Sequence, residues 1–531
     1  MGSWAKGMGL WRFARGVRGL LHRRIGVDEA VRTIARGVTE RDARFLAKLE
    51  HSVYANPSSP YRRLLAVAGC TFGDVARLVR ADGLEGALHA LARAGVHVTF
   101  DELKCRRPAV RGSQTLHFRP ADFDDPLVVE QLSLRSGGTR GTPQRVPVDV
   151  DHIAELAPSW ALFLAENDCA TAPLLFWTPG HAGVAARYLA CALFGQRYVR
   201  WFVSEDMRAA TDRLYGACVH GLARRAFALP RAQRAPFGDP APVLDCLLVL
   251  LAGARRACVN TAPSAAAKLA LLAQRRGASL DGVTFLLGAE PLTPARRATI
   301  EASGARATPL YGSSEAPWIG GQCRVAAHAD AVHVLQDGYA AIAADEPSHA
   351  PDASGRTVLL TSLRRAVPKV LLNADIGDRA VFSERRCGCL YDRVGCRLEL
   401  YRIRSSDKIT ELGVTFVVHD VHQVLEQVLP RRLGGSAGDY QLVESRDRHG
   451  LPRYTLLLDP GLRDLDDAVV TTTFLAELGR LERHYGFMTS TWAREGLIRV
   501  RRGAPLAGPS GKVLSFHRAS DAARVDLGEQ R

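Results

Sequence analysis

The sequence predicts an α/β protein with a large N-terminal domain built mostly on parallel sheets, a β-rich subdomain within it, and a small C-terminal α+β domain joined by a hinge. Three observations carry that prediction. Between about Leu174 and Arg324, apolar runs rich in β-formers alternate with helical stretches. From Thr357 through Ala374 to Leu400 such runs follow one another with only turns between them. Near Arg404–Gly413 the pattern breaks, and a tail of about 120 residues follows, an ordinary size for a small domain. At 531 residues the chain is too long for one hydrophobic core. The expected division is 1–403 and 404–531.

Each element follows from side-chain spacing. The first 25 residues set Trp4, Leu10, Trp11, Phe13 and Leu20 among Arg12, Arg15, Arg18, Arg23 and Arg24, the pattern of a basic amphipathic helix. Such a helix more often packs on its own domain, but it could make peripheral contact with a membrane. Val27–Lys48 keeps helical spacing, Asn56–Pro60 is a turn, short helices run to about Ala94, and Val96–Phe100 reads as a strand. Pro173–Thr178, Arg197–Val203, Ala257–Asn260 and Gly282–Leu287 read as strands, with helices over Gly183–Phe194 and Ser264–Arg276. Val243–Gly253 suits either a buried strand or a helix. In the tail, helices Val417–Leu429 and Val469–Tyr485 bracket strands Asp439–Glu444 and Tyr454–Leu458.

Composition narrows the function classes. A hydrophobic share of 47% and a charged share of 24% exclude disorder, collagen and a disulfide scaffold. The net charge of +15 could serve nucleic acid or an anionic surface. It is almost all arginine spread along the chain, with no nucleic-acid-binding signature, so no nucleic-acid partner is expected. Eleven scattered cysteines without a secretory apolar segment point to a reducing cytoplasm. The longest apolar run is too short to cross a bilayer, so no transmembrane segment is expected.

Three segments carry chemistry. Ser136–Pro143 follows an apolar run and packs Gly137, Gly138 and Gly141 among Ser136, Thr139 and Thr142. Glycines permit positive φ and expose successive N–H groups, a nest suited to phosphate oxygens; a plain hairpin turn would use the same residues. Arg140 and Arg145 add positive charge. Gly288-Ala289-Glu290 follows the strand ending at Leu287 and opens a helix, with Thr293 as N-cap and Pro294 at its first position. Loops at the carboxyl ends of parallel strands are where α/β sheets place ligands. Tyr311-Gly312-Ser313-Ser314-Glu315 offers a ring to stack on a base, a hydroxyl for phosphate and a hard oxygen ligand of the kind Mg²⁺ prefers.

In this order and spacing the three segments resemble those of the adenylate-forming superfamily of acyl-CoA synthetases, adenylation domains and luciferases, and within it the phenylacetate-CoA ligase-like branch. Asn56–Arg63 and Val98–Lys104 are similar to that branch's N-terminal segments, and Gly377-Asp378, Arg404-Ser-Ser-Asp407 and Pro509-Ser-Gly-Lys512 fall where the family keeps its ribose-binding aspartate, hinge motif and C-terminal lysine. The resemblance implies an ATP- and Mg²⁺-dependent ligase that converts a small-molecule carboxylic acid to an acyl-adenylate. It then passes the acyl group to CoA, to the phosphopantetheine of an acyl carrier protein, or to an amine. It implies Lys512, Glu315 and Arg404 as catalytic residues, Tyr311 on adenine, Asp378 on ribose, the Ser136–Thr142 loop on phosphates, Glu315 on Mg²⁺ and Asp407 as the hinge pivot. Trp318, Ile319, Phe176 and Trp177 are candidates to line an acid pocket.

The sequence also departs from the family pattern. Arg140 replaces a threonine, Gln144-Arg145 stands where a lysine is common, and Ile403, Ser406 and Thr410 replace the usual hinge residues. These hinge changes bear on the thiol-transfer step and leave open a degenerate member that binds nucleotide or acyl-adenylate without turnover. Finally, Cys323, Cys387 and Cys389, with His333 or else His328, form a set suited to tetrahedral zinc. Relatives in the same branch carry a comparable set, which implies a structural Zn²⁺, with Cys396 as a core cysteine.

Overall fold

The computed structural model describes residues 3–20, 25–135, 145–178, 198–203, 221, 230–236, 239–289, 292, 294–345, 355–405, 408–411, 414–435, 439–447, 449, 451–462, 464–481, 485–506 and 515–518. Two compact units emerge, a large one ending at Ser406 and a small one beginning at Asp407, with two short upstream segments grouped with the latter.

The large unit is organised on one twelve-stranded sheet. Its strands are β1 (Leu174–Thr178), β2 (Tyr198–Val203), β3 (Ala232–Arg234), β4 (Ala257–Thr261), β5 (Val283–Leu287), β6 (Arg306–Tyr311), β7 (Gly320–Gly321), β8 (Val332–Val334), β9 (Tyr339–Ala343), β10 (Arg356–Ser362), β11 (Ala374–Glu384) and β12 (Leu398–Ser405). The order is β9-β10-β11-β12-β8-β7-β6-β5-β4-β1-β2-β3. From β3 to β6 all neighbours are parallel; from β6 to β9 all are antiparallel. The β-rich stretch is therefore a continuation of the parallel sheet, not a separate layer, and β6 is the strand at which the direction changes.

Burial explains why the parallel half was readable. Every residue of β1 and β4 is buried, as expected where helices cover both faces and strands become continuous apolar runs. The ambiguous run Val243–Gly253 is a helix, Ala241–Gly253, that starts beside Pro240 and Pro242. Val96–Phe100 is not a strand: only Val98 bridges, to Ala374, and Thr99 caps a short helix, Phe100–Leu103. Thr99 and Glu102 form a reciprocal capping box there, which satisfies backbone groups that an isolated strand would leave open. Trp160 and Phe163 on the helix Val150–Glu166 pack against Trp318, with ring centroids 4.2 and 5.3 Å away. Trp318, Ile319, Phe176 and Trp177 are all buried, so the four candidate pocket residues lie in the core.

The small unit holds a four-stranded sheet, in the order Ile498–Arg502, Pro452–Leu458, Tyr440–Arg446, Phe516–Arg518, with helices Asp467–Leu481 and Tyr485–Arg494. A hairpin, Lys408–Glu411 with Val414–Val417, precedes it, so Val417 ends a strand instead of opening the helix, which starts at Val418. No helix among the described residues is long and apolar enough to cross a membrane. The basic N-terminal segment is helical over Ser3–Leu20 and buries Phe13 and Val17 in the large unit's core.

Candidate active site and metal centre

Two loops leave the carboxyl ends of β5 and β6 side by side. At Gly288 a Cβ would come within 2.8 Å of the end of the Leu310 side chain on β6, so a larger residue would make that side chain shift. Ala289 then takes φ +71, a left-handed conformation that costs a non-glycine residue about 1 kcal/mol or more. Gly312 has no room either, since its Cβ would lie 2.7 Å from the Trp318 amide nitrogen. The loop closes on itself: the Ser313 amide donates to the Ala316 carbonyl at 3.0 Å, the Ala316 amide to the Ser313 hydroxyl at 3.1 Å, and the Ile319 amide to the Tyr311 carbonyl at 2.8 Å. This holds Glu315 in a buried position.

Tyr311 donates its hydroxyl to a carboxylate oxygen of Asp378 on β11 at 2.9 Å. Burial, reinforced by the Asp378 charge, pushes the phenol well above its usual range, so it stays a donor. Sequence positions 67 residues apart thus meet. The Glu315 carboxylate pairs with Lys104, at the end of the helix Phe100–Leu103, and Lys104 also lies over the Phe100 ring at 5.6 Å. Lys104 had drawn no role from the sequence, yet a signal was there: among seven lysines, Lys48, Lys104 and Lys369 each pair with a largely buried carboxylate. Arg145, read as charge for the phosphate loop, instead pairs with both Asp124 and Glu130, and Asp124 also receives Lys369 at 2.5 Å. Its charge is therefore neutralised within the protein.

Ser136, Gly137, Gly138, Thr139, Gly141, Thr142, Glu290, Asp407 and Lys512 lie outside the described residues. Of Arg404, the structure gives the backbone, paired on β12 with Arg379; Asp378 pairs with Ser405. Between these pairs and Val381–Tyr401, two residues of β12, Arg402 and Ile403, oppose only Ala380. The bulge is held by Asp330, whose two carboxylate oxygens accept the Arg402 and Ile403 amides at 3.0 and 3.1 Å, while Arg402 takes φ +53. Asp330 is a second residue that sequence reasoning missed.

The second cluster lies beyond β7. One ligand atom from each of Cys323, His333, Cys387 and Cys389 falls within 4.8 Å of the other three. His333 Nε2 is 3.5 Å from Cys387 Sγ and 3.7 Å from Cys389 Sγ, and the two sulfurs are 3.1 Å apart. Zinc bonds of about 2.3 Å to sulfur and about 2.0 Å to nitrogen make tetrahedral edges of roughly 3.5–3.8 Å, so the residues fit the ion. The surroundings fit as well. His333 Nδ1 lies 2.9 Å from the Cys396 carbonyl, which selects the tautomer whose Nε2 lone pair faces the thiols. Glu166 accepts the Arg324 amide at 3.1 Å and the Leu390 amide at 2.8 Å, gripping the residues next to Cys323 and Cys389. The neighbouring Cys323 thiol, then burial, pushes the Cys389 thiol up to about 12; a bound divalent cation would deprotonate such thiols outright. Of the two histidines the sequence offered, His333 joins the cluster. His328 stacks on Tyr401 at 3.9 Å instead.

No protein-family model matches the sequence, and no curated protein matches it significantly. Solved structures do match. 2-Hydroxyisobutyryl-CoA ligase, in complex with 2-HIB-AMP and CoA in its thioesterification state, aligns with TM-score 0.54 at 16% identity over 92% of this chain and 92% of that one. The two chains share one fold. A variant of the amide bond synthetase McbA from Marinactinospora thermotolerans aligns with TM-score 0.42 at 14% identity over 91% and 95% of the two chains. A double mutant of o-succinylbenzoate CoA synthetase from Bacillus subtilis gives 0.39 at 14% identity over 75% and 69%. The fold assignment rests on the first of these.

Proposed function

We propose that this protein uses ATP to convert a carboxylic acid to an acyl-adenylate and then passes the acyl group to a thiol, either CoA or the phosphopantetheine of a carrier protein. One observation carries the reading: in a fold shared with an acyl-CoA ligase, Tyr311, Asp378 and Glu315 all stand at the carboxyl end of β6, the edge where open α/β sheets bind ligands. In the first half-reaction a carboxylate oxygen bonds to the α-phosphorus while the bond to the β-phosphate oxygen breaks and pyrophosphate leaves. Both reactants are anionic, so cations must offset their repulsion. Lys512 is assigned to bridge carboxylate and α-phosphate, the Ser136–Thr142 loop to hold the β- and γ-phosphates, and Gly288 and Ala289 to let the nucleotide approach the backbone. Asp378, oriented by Tyr311, accepts the ribose hydroxyls. Glu315 would hold Mg²⁺, which would supply charge neutralisation on the phosphates. In the second half-reaction the thiol sulfur bonds to the acyl carbon, AMP leaves and the thiol proton is released, with Asp407 as pivot of the small unit and Arg404 beside it.

Cys323, His333, Cys387 and Cys389 are assigned a zinc ion, structural because four protein ligands leave no open position. ATP–pyrophosphate exchange over a broad panel of acids tests the activity: acid-dependent exchange is expected, and none across the panel would overturn it. A second reading, a nucleotide-binding scaffold without turnover, draws on Lys104 and Arg145, whose pairings leave Glu315 and the loop flank internally neutralised. Nucleotide binding with no exchange, and unchanged by Lys512→Ala, would favour it.

A further inference from the structure

The helix Ser3–Leu20 buries one side in the large unit, and the side left facing solvent has a different chemistry. At roughly 100° per residue, Phe13 and Val17 fall on one side, and Trp11, Arg15 and Arg18 fall within about 60° of one another on the opposite side. The structure divides them in the same way. Phe13 and Val17 are buried in the core, while Trp11, Arg12, Arg15 and Arg18 are exposed, Trp11 at 61%. Arg15 lies over the Trp11 ring, its guanidinium carbon 5.8 Å from the centroid, so a cation and an indole are presented together. The helix carries no acidic residue along its 18 positions. Arg12, Arg15 and Arg18 form no ion pair among the described residues, unlike Arg111, Arg145 and Arg324 elsewhere in the large unit.

Exposed apolar surface continues from the helix onto the chain beside it. At Gly9 a Cβ would come 3.0 Å from the Gln131 carbonyl oxygen, so the helix lies directly against the segment that leads into the strand Leu132–Arg135. That segment exposes Leu127 and Val129, at 37% and 51%. With Trp11 they make three of the eight large apolar side chains exposed among the described residues, gathered on two adjoining segments instead of scattered singly. The acidic groups of the same stretch are already paired: Asp124 and Glu130 with Arg145, and buried Asp125 with Lys48.

We propose that this stripe docks the protein on an anionic lipid bilayer, with the helix lying in the plane of the headgroups. A basic helix face with a tryptophan at its centre suits that layer: the indole body enters the boundary of the acyl chains, its N–H stays wet, and the guanidiniums meet lipid phosphates. A nucleic-acid backbone would use the same arginines but would gain nothing from Leu127 and Val129, and these aliphatic side chains decide for lipid. Phe13 and Val17 remain in the core, so docking needs no unfolding of the helix. Binding of this kind is peripheral and reversible, and salt weakens it by screening the arginines. The inference is independent of the adenylation reading.

The test sediments the full-length protein with sucrose-loaded vesicles of phosphatidylcholine containing a minority of phosphatidylserine, and with vesicles of phosphatidylcholine alone, at low and raised salt. Binding to the anionic vesicles, weakened by salt and absent from the neutral ones, is expected. The triple variant Arg12→Gln/Arg15→Gln/Arg18→Gln should lower the partition constant on the order of a hundredfold, each arginine near an anionic surface contributing about fivefold. Trp11→Ala should lower it by roughly tenfold and keep the salt dependence. A variant with the same loss of charge elsewhere, Arg62→Gln/Arg80→Gln/Arg499→Gln, should bind as the wild type does. All seven side chains are exposed, and circular dichroism verifies that each variant is folded. Failure of the wild type to sediment with anionic vesicles would overturn the proposal, as would an equal loss in the charge-matched variant. Tighter binding of duplex DNA than of vesicles, through the same three arginines, would overturn it as well.

Discussion

The Cys/His cluster, a candidate metal site, and the carboxyl-edge site are built in opposite ways. Around Cys323, His333, Cys387 and Cys389 the ligand atoms converge: a backbone carbonyl sets the histidine tautomer, and Glu166 ties down both cysteine-bearing segments. At Tyr311 and Glu315 the polar groups are satisfied by one another, Tyr311 by Asp378 and Glu315 by Lys104. A group meant to keep its ligand for the life of the fold can be pre-assembled. A group that binds and releases ligand needs internal partners for its charges in the interval, because an unpaired buried carboxylate is costly.

This contrast can be broken by experiments that should affect one cluster and spare the other. The largest effect is expected from Lys512→Ala, which removes a transition-state donor worth about 3–4 kcal/mol. Exchange should fall by roughly two to three orders of magnitude with zinc content unchanged; a loss of only a few-fold would break the assignment. Next comes removal of the metal. Cys387→Ser, or a strong chelator, should lower stability by on the order of 4 kcal/mol, as loss of a structural metal does. Thermal melts with and without added zinc measure this, and a melt indifferent to zinc would sink the structural role. Lys104→Gln should remove a competing positive charge from Glu315 and lower the Mg²⁺ concentration for half-maximal exchange by about fivefold, or about 1 kcal/mol. An unchanged or increased Mg²⁺ requirement would show that Lys104 supports the site instead of competing for it. Smallest is Tyr311→Phe, which deletes one hydrogen bond worth roughly 0.5–1.5 kcal/mol. ATP affinity should weaken correspondingly while melting is little changed, since Asp378 can find water.

The sequence made the parallel half readable because burial on both faces leaves apolar runs such as Leu174–Thr178 and Val283–Leu287. It made the thiol set readable because Cys387-Gly-Cys389 is compact, and it favoured His333 over His328 without fixing the choice. That choice is made by register: β8 sets His333 opposite Gly321 and Glu399, while His328 precedes the strand. The Lys104–Glu315 pair spans 211 positions, beyond any local pattern. Likewise Trp318 and Trp177 looked like pocket walls because an aromatic side chain fits a core and a pocket equally well; packing alone decided for the core.

The bulge at Arg402–Ile403 has a consequence for numbering itself. A strand alternates with period two, so one inserted residue reverses its parity from that point onward. Downstream of the bulge, every position on β12 meets a partner on β11 one step away from where the upstream count would put it. Asp378 faces Ser405 only because of that shift; on the upstream register it would face Arg404. The last strand before the small unit is thus phased by Asp330, a residue 72 positions earlier. Deleting one residue between Tyr401 and Arg404 would rephase everything that follows, while conserving nearly all of the composition.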